Sequence, residues 1–330
     1  MSRIGILGAG AWGTALAISL ARRGGHSIVL WSHSAALAEQ LAETGENLIY
    51  LPGYTLPVDV VVTADLLVAI FEADIVLSVT PSQHLRGVLE KIAPLLTRDQ
   101  IVVSATKGLE ETTLLRMSQV IGSLTENACG VLSGPSFAAE VAAGIPTAIV
   151  AAASATGVAL KIQREFSSPA LRLYTNDDVA GVELGGALKN VIAMAAGVVH
   201  GLDLGHNAGA ALVTRGIAEI TRLALACGGR RRTLAGLSGL GDLVLTCTGS
   251  LSRNRTVGIE LGKGRHLAEI VFGLNGKVAE GIRSTTAALG LAARYGVEMP
   301  ITEQMDAILH RGKSPKEAIR ELMARPGRDE

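Results

Sequence analysis

The first half of the chain alternates short unbroken apolar runs with stretches whose apolar positions recur every three or four residues. The runs at 3–7, 27–31, 60–62, 75–79, 101–104, 130–132, 147–151 and 171–174 lack the apolar–polar alternation of a sheet wetted on one face. Between them, 12–23, 34–44, 84–96 and 112–121 carry helical periodicity. Strands buried on both faces and separated by helices predict a mostly parallel sheet covered on both sides. Beyond Asn176 the strand patterns stop, and 179–199, 209–227, 277–295 and 303–311 predict helices alone. Asn176-Asp177-Asp178 offers a polar break and a helix N-cap. The expected boundary lies there, with an α/β domain over 1–176 and an all-helical domain over 177–330. Residues 325–330 read as a frayed tail.

Residues 141–160 are uncharged over the length of a membrane span. Gly144, Pro146, Thr147, Ser154, Thr156 and Gly157 break that stretch into a helix end, a buried strand and a new helix start. No membrane span is expected.

Composition sharpens the picture. A length of 330 residues suits roughly two domains. The chain is 48% hydrophobic but only 3% aromatic, with 39 glycines, so its core must rest on Ala, Val, Leu and Ile. Lys and Arg total 30 against 30 Asp and Glu, so no net field draws nucleic acid or an anionic membrane. An anionic ligand would need a local cluster of positive groups. Cys129, Cys227 and Cys247 are widely spaced without a CxxC pair, and the chain opens on a strand-like run without a basic leader. A reducing, cytoplasmic setting is expected.

The strongest motif is Gly8-Ala9-Gly10-Ala11-Trp12-Gly13, which follows a strand and opens a helix. Gly8 permits the tight turn, Gly10 lets the backbone approach a pyrophosphate, and Gly13 allows close helix–sheet packing. The N–H groups of the helix start would receive the phosphates. The fold class this implies is α/β, an N-terminal Rossmann-type mostly parallel sheet with an all-helical C-terminal domain. An NAD-selective site of this kind places a carboxylate at the end of the second strand. Here the strand ends Trp31-Ser32-His33, so nothing repels a 2′-phosphate, and Ser32 and His33 offer donors. NADPH is the expected cofactor, with NADH open. Arg22 and Arg23 stand nearby in sequence, equally readable as surface charges.

Lys107 follows the strand at 101–104, at the end of the sheet where ligands gather. It is either a site residue or a loop lysine. Ser133-Gly134-Pro135-Ser136-Phe137 follows another strand and offers either an anion-compatible turn or a serine helix cap. In the helical half, Lys189 stands alone among Gly, Ala and Val. A buried lysine is costly unless paired or used, and desolvation suits one to general-base work; the alternative is snorkelling at the surface. Asp242, Thr246, Ser250, Ser252, Arg253, Asn254 and Arg255 form a polar run after the loop at 236–241. Arg253 and Asn254 beside hydroxyls are the donors a phosphate ester needs, or an ordinary helix cap with solvated arginines. His200, Asp203 and His206 lack metal-ligand spacing, and Cys247 has no activating histidine motif. No metal is expected.

These residues resemble the bacterial NAD(P)-dependent sn-glycerol-3-phosphate dehydrogenase family. The likeness runs through GAGAWGTALA at 8–17, YLPG at 50–53, KGLE at 107–110 and SGPSFAAEVA at 133–142. It continues through YTNDDVAGVELGGALKNVIAMAAG at 174–197, GLSGLGDLVLTCTGSLSRNR at 236–255 and VAEGIRST at 278–285. The resemblance implies hydride transfer between dihydroxyacetone phosphate and sn-glycerol 3-phosphate, supplying phospholipid synthesis. It implies cofactor contacts at Trp12, His33, Lys107, Ala138, Arg253, Val278 and Glu280, beside the loop of Gly8, Gly10, Ala11 and Gly13. Substrate contacts would be Lys107, Gly134, Ser136, Asp242, Ser252, Arg253 and Asn254, with Lys189 as proton acceptor. Ala11 departs from the serine usual there, so a backbone contact survives and a hydroxyl contact is lost. A homodimer is expected from the Ala- and Gly-rich second domain. Two other readings fit the architecture: a reductase of another small 2-oxo compound, and a dinucleotide sensor without turnover.

Overall fold

The computed structural model describes residues 2–274 and 279–327. Among the described residues ten strands run β1 (Ser2–Leu7), β2 (His26–Trp31), β3 (Glu46–Asn47), β4 (Leu51–Thr55), β5 (Val60–Thr63), β6 (Ile75–Ser78), β7 (Ile101–Ser104), β8 (Cys129–Ser133), β9 (Thr147–Ala152) and β10 (Leu171–Asn176). Among them lie helices α1 (Ala11–Arg23), α2 (Ala35–Thr44), α3 (Leu66–Ile70), α4 (Leu85–Ile92), α5 (Met117–Gly122), α6 (Ala138–Ala143) and α7 (Thr156–Phe166). Eight strands form one sheet in the order β10-β9-β8-β7-β6-β1-β2-β5. Every neighbouring pair is parallel except β8 with β9. The unalternating sequences of β6 and β7 are buried at every position, as a doubly covered sheet requires. Residues 141–160 fold as the end of α6, then β9, then the start of α7.

The remaining helices are α8 (Val179–Gly201), α9 (Gly205–Ala226), α10 (Arg231–Leu234), α11 (Asp242–Thr248), α12 (Arg253–Gly262), α13 (Leu267–Gly273), α14 (Glu280–Tyr295), α15 (Pro300–His310) and α16 (Pro315–Met323). Asp178 starts α8 by accepting from the Gly181 N–H at 2.8 Å. The chain divides into two compact units: 1–107 with 115–183, and 108–114 with 184–330. The second is built around α8, whose Leu184, Leu188, Val191, Ile192 and Met194 are buried in one apolar cluster. Among the described residues α8 is the one single helix long and apolar enough to cross a membrane, and its apolar window is wholly buried. Gly197 and Gly201 of α8 meet Gly258 and Gly262 of α12. A Cβ on Gly258 would lie 1.9 Å from the Met194 carbonyl oxygen, so only glycine permits this backbone approach.

Two local expectations change. The periodicity at 112–121 yields a helix only from Met117, because Leu114 takes a left-handed conformation at φ 63° and ends any helical path. The Leu114 side chain packs with the apolar cluster of the second unit instead. The stretch 84–96 narrows to α4, with 3-10 turns at Ser82–His84 and Ala93–Leu95, the second containing Pro94. The β3–β4 hairpin has no counterpart in the periodicity, since β3 is two residues long.

Candidate active site

In the first unit the glycine loop joins β1 to α1. Gly8 has φ 129°, and a Cβ there would meet the Val79 carbonyl oxygen at 2.9 Å. A Cβ on Gly13 would meet the Gly8 carbonyl oxygen at 1.9 Å, so α1 lies directly on the loop. Gly10 caps α1 without any side chain, and a Cβ on it would meet nothing within 4 Å. The helix start therefore has no side-chain cap on its N–H groups, no acidic residue in its first turn and open space beside Gly10. Beside it, the Trp12 indole N–H is buried and unpartnered. Uncapped donors, positive helix potential and room at Gly10 fit the pyrophosphate of a dinucleotide.

At the end of β2, His33 is exposed and stands edge-on to Trp31, ring centroids 6.1 Å apart. Both line a cleft of about 610 Å³ with Ala64, Asp65, Leu66 and Lys91. The Ser32 hydroxyl is buried and donates to the Ser34 carbonyl at 3.0 Å, which leaves His33 as the outward-facing donor of that pair. Arg22 and Arg23 belong to the scaffold. Arg22 donates to the Ala142 carbonyl, and Arg23 to the carbonyls of Ser167 and Arg164, each at 2.8 Å.

Lys107 is half-buried and donates to the Gly134 carbonyl at 2.9 Å, joining the loops after β7 and β8. Gly134 has φ 137°, and a Cβ there would press on Ile149 at 3.0 Å. The Ser136 hydroxyl donates to the same Gly134 carbonyl at 3.0 Å. Ser136 is not a helix cap: Phe137 holds that position before Ala138, and no side chain caps α6. The Ser133 hydroxyl is buried and unpartnered.

In the second unit Lys189 is buried on α8 and donates to the carboxylate of Asp242, which opens α11 and is wholly buried. It also donates to the Thr246 hydroxyl at 3.0 Å. Thr246 in turn donates to the Asp242 backbone carbonyl at 2.6 Å. The lysine is therefore held, not snorkelling. Ser252 does cap α12, accepting from the Arg255 N–H at 3.2 Å. Asn254 donates to Asn190 Oδ1 at 3.0 Å and accepts from the Gly281 N–H at 3.0 Å. Arg253 is exposed as a residue, yet protein atoms around its guanidinium desolvate it and lower its pKa, while the nearby Glu280 raises it. Burial pushes the Cys247 thiol up to about 12, against the opposing charge of Lys189, so it stays neutral. Burial does the same for Cys129, also to about 12, helped by Glu183.

Val278 lies outside the described residues. Asn190 and Thr246 complete the second-unit network; Thr246 stands in the polar run that follows the loop at 236–241, and Asn190 has no assigned role there. Their sequence signals were slight: Asn190 adjoins Lys189, and Thr246 lies one helical turn after Asp242.

A glycine-loop sheet with an uncapped helix start, together with a helical unit holding a buried lysine on a carboxylate, defines the two-domain dinucleotide-dependent dehydrogenases. The NAD-dependent glycerol-3-phosphate dehydrogenase N-terminal model matches residues 3–159, and the corresponding C-terminal model matches 178–320. Glycerol-3-phosphate dehydrogenase (NAD(P)+) of Acidobacterium capsulatum is 60% identical over 100% of both chains. That of Geobacter sulfurreducens is 51% identical over 98% of this chain and 97% of its own. The crystal structure of glycerol-3-phosphate dehydrogenase from Coxiella burnetii superposes with a TM-score of 0.95 at 40% identity, covering 98% of this chain and 99% of that one. The chain belongs to the NAD-dependent glycerol-3-phosphate dehydrogenase family. A ketopantoate reductase from Ralstonia eutropha, at 16% identity and a TM-score of 0.63, shares the fold alone.

Proposed function

We propose that the protein interconverts sn-glycerol 3-phosphate and dihydroxyacetone phosphate with NADPH in preference to NADH, and that Lys189 moves the proton. The observation that carries this reading is the buried Lys189 held between Asp242 and Thr246. A nicotinamide dinucleotide held on the glycine loop at Gly8, Gly10 and Gly13 would supply hydride exchange with C2 of the substrate. In oxidation the Lys189 amine takes the proton of the C2 hydroxyl; in reduction its ammonium polarises the carbonyl and returns that proton. Asp242 and Thr246 fix the direction of Nζ, so the proton is delivered to one oxygen. Asp242 also counts among the substrate contacts.

The start of α12 suits the substrate phosphate. Ser252 caps that helix, Arg253 and Asn254 occupy its first turn, and helix N–H groups and a guanidinium both favour an anion. Lys107, Gly134 and Ser136 are assigned to substrate from the first unit. Gly8, Gly10, Ala11, Trp12, Gly13, His33, Lys107 and Ala138 are assigned to the dinucleotide, with Arg253, Val278 and Glu280 from the helical part. The NADPH preference rests on the missing carboxylate directly after β2 and on His33; the adjoining cleft carries Lys91 and Asp65, whose opposite charges favour neither cofactor. The same reading makes 1–176 the dinucleotide-binding domain and 177–330 the substrate and catalytic domain, each lending a few residues to the other's ligand. It includes a cytoplasmic location, supported by three free cysteines, and a role in supplying glycerol phosphate to phospholipids. It also includes a homodimer, supported by Leu204, Ala210 and Ala211 exposed on and before the first half of α9.

The test follows NADPH, then NADH, with dihydroxyacetone phosphate. NADPH should be consumed at the higher kcat/KM, and Lys189→Met should keep NADPH binding while losing about 10²–10⁴-fold in turnover. Near-normal turnover in Lys189→Met removes Lys189 from proton transfer. Equal or better use of NADH removes the NADPH preference.

A further inference from the structure

The YLPG segment sits on the β3–β4 hairpin, which the site described above leaves without a task. Its anchor is Asn47, with no exposed surface at all. The Asn47 amide donates to the Ala9 carbonyl at 2.9 Å and to the Thr14 hydroxyl at 2.8 Å, and its oxygen accepts from the Tyr50 N–H at 3.0 Å. Ala9 offers only an acceptor and Tyr50 only a donor, so the amide has one allowed orientation and both its N–H donors are used. Thr14, equally buried, lies one turn into α1, and its own N–H donates to the Gly10 carbonyl at 2.9 Å.

We propose that Asn47 is a positioning residue for cofactor binding: it locks the Ala9–Gly10 peptide so that the glycine loop is pre-set for the dinucleotide pyrophosphate. The proposal rests on the dinucleotide reading above. The peptide unit is planar and trans, so its carbonyl and N–H point in opposite directions. Holding the Ala9 carbonyl on Asn47 therefore aims the Gly10 N–H away from the hairpin. Gly10 itself has no side chain to restrain it and nothing within 4 Å of its Cβ position, so the loop needs an external tie. The tie to Thr14 couples that peptide to the first turn of α1, whose free N–H groups make up the rest of the cradle. Order fixed before binding is not lost on binding, so the effect falls on cofactor affinity.

Asn47→Asp keeps the shape and the acceptor for Tyr50, and the Thr14 hydroxyl can donate to the carboxylate, but the bond to the Ala9 carbonyl is lost and two oxygens face each other there. The expected result is a rise of about tenfold in the Kd for NADPH, with the KM for dihydroxyacetone phosphate within about twofold of wild type. Thr14→Val removes a single bond and should raise the NADPH Kd about threefold; it serves as the test should Asn47→Asp fail to fold. A lower melting temperature with an unchanged NADPH Kd overturns the proposal, because it leaves Asn47 a structural part only. Equal rises in the NADPH Kd and the KM for dihydroxyacetone phosphate overturn it as well. Wild-type protein that binds neither NADPH nor NADH overturns the cofactor reading and this proposal together; wild-type binding with unaltered variants overturns this proposal alone.

Discussion

At the scale of residues, the chemistry turns on partners. Lys189 gains its direction from Asp242 and Thr246, 53 and 57 positions away in the chain. Arg253 differs, because its guanidinium is desolvated by surrounding protein atoms and has Glu280 as a neighbouring charge. A guanidinium hydrogen-bonded to a phosphate contributes about 1.5–3 kcal/mol, or roughly 10–100-fold in binding. Arg253→Ala should therefore raise the KM for dihydroxyacetone phosphate by about that factor and leave the melting temperature nearly unchanged. Steady-state kinetics check it, and an unchanged KM would remove Arg253 from phosphate binding. Cys247 is a neighbour with no part in this chemistry, since its thiol is held neutral by burial.

At the scale of elements, glycine decides how closely backbones approach. Gly13 sets α1 on the glycine loop, and the Gly197, Gly201, Gly258 and Gly262 set brings α8 onto α12. That second contact matters for function because α8 carries Lys189 and Asn190, while α12 carries Arg253 and Asn254. Gly258→Ala places a methyl group 1.9 Å from the Met194 carbonyl oxygen, and backbone cannot yield as a flexible side chain does. The substitution should cost about 1–3 kcal/mol of stability. Urea unfolding reads that loss, and weakened substrate binding should accompany it through the shifted Asn254–Asn190 pair. A Gly258→Ala protein as stable as wild type would show that the two helices separate freely.

At the scale of the whole molecule, the proposed homodimer is checked by sedimentation equilibrium; a mass of one chain at micromolar concentration would exclude it. The sequence by itself determined the parallel sheet, the helical second half and the glycine loop. Their signals are local: buried strands read as unbroken apolar runs, helices as a 3.6-residue period, and a tight turn as glycine at fixed spacing. It also marked Lys189, because one charge amid small apolar residues is conspicuous in any helix. Tertiary structure alone decided what that lysine touches, that Ser32 spends its hydroxyl on Ser34, and that Arg22 and Arg23 serve carbonyls of distant segments. It decided that 112–116 leaves the helix its periodicity predicts, where Leu114 is left-handed and packs with the second unit's apolar cluster. Asn47 shows the same limit, since an asparagine in a polar stretch reads as a turn. Only folding places it against Ala9 and Thr14, 38 and 33 positions earlier, because hydrogen bonds act over ångströms and leave no period along the chain.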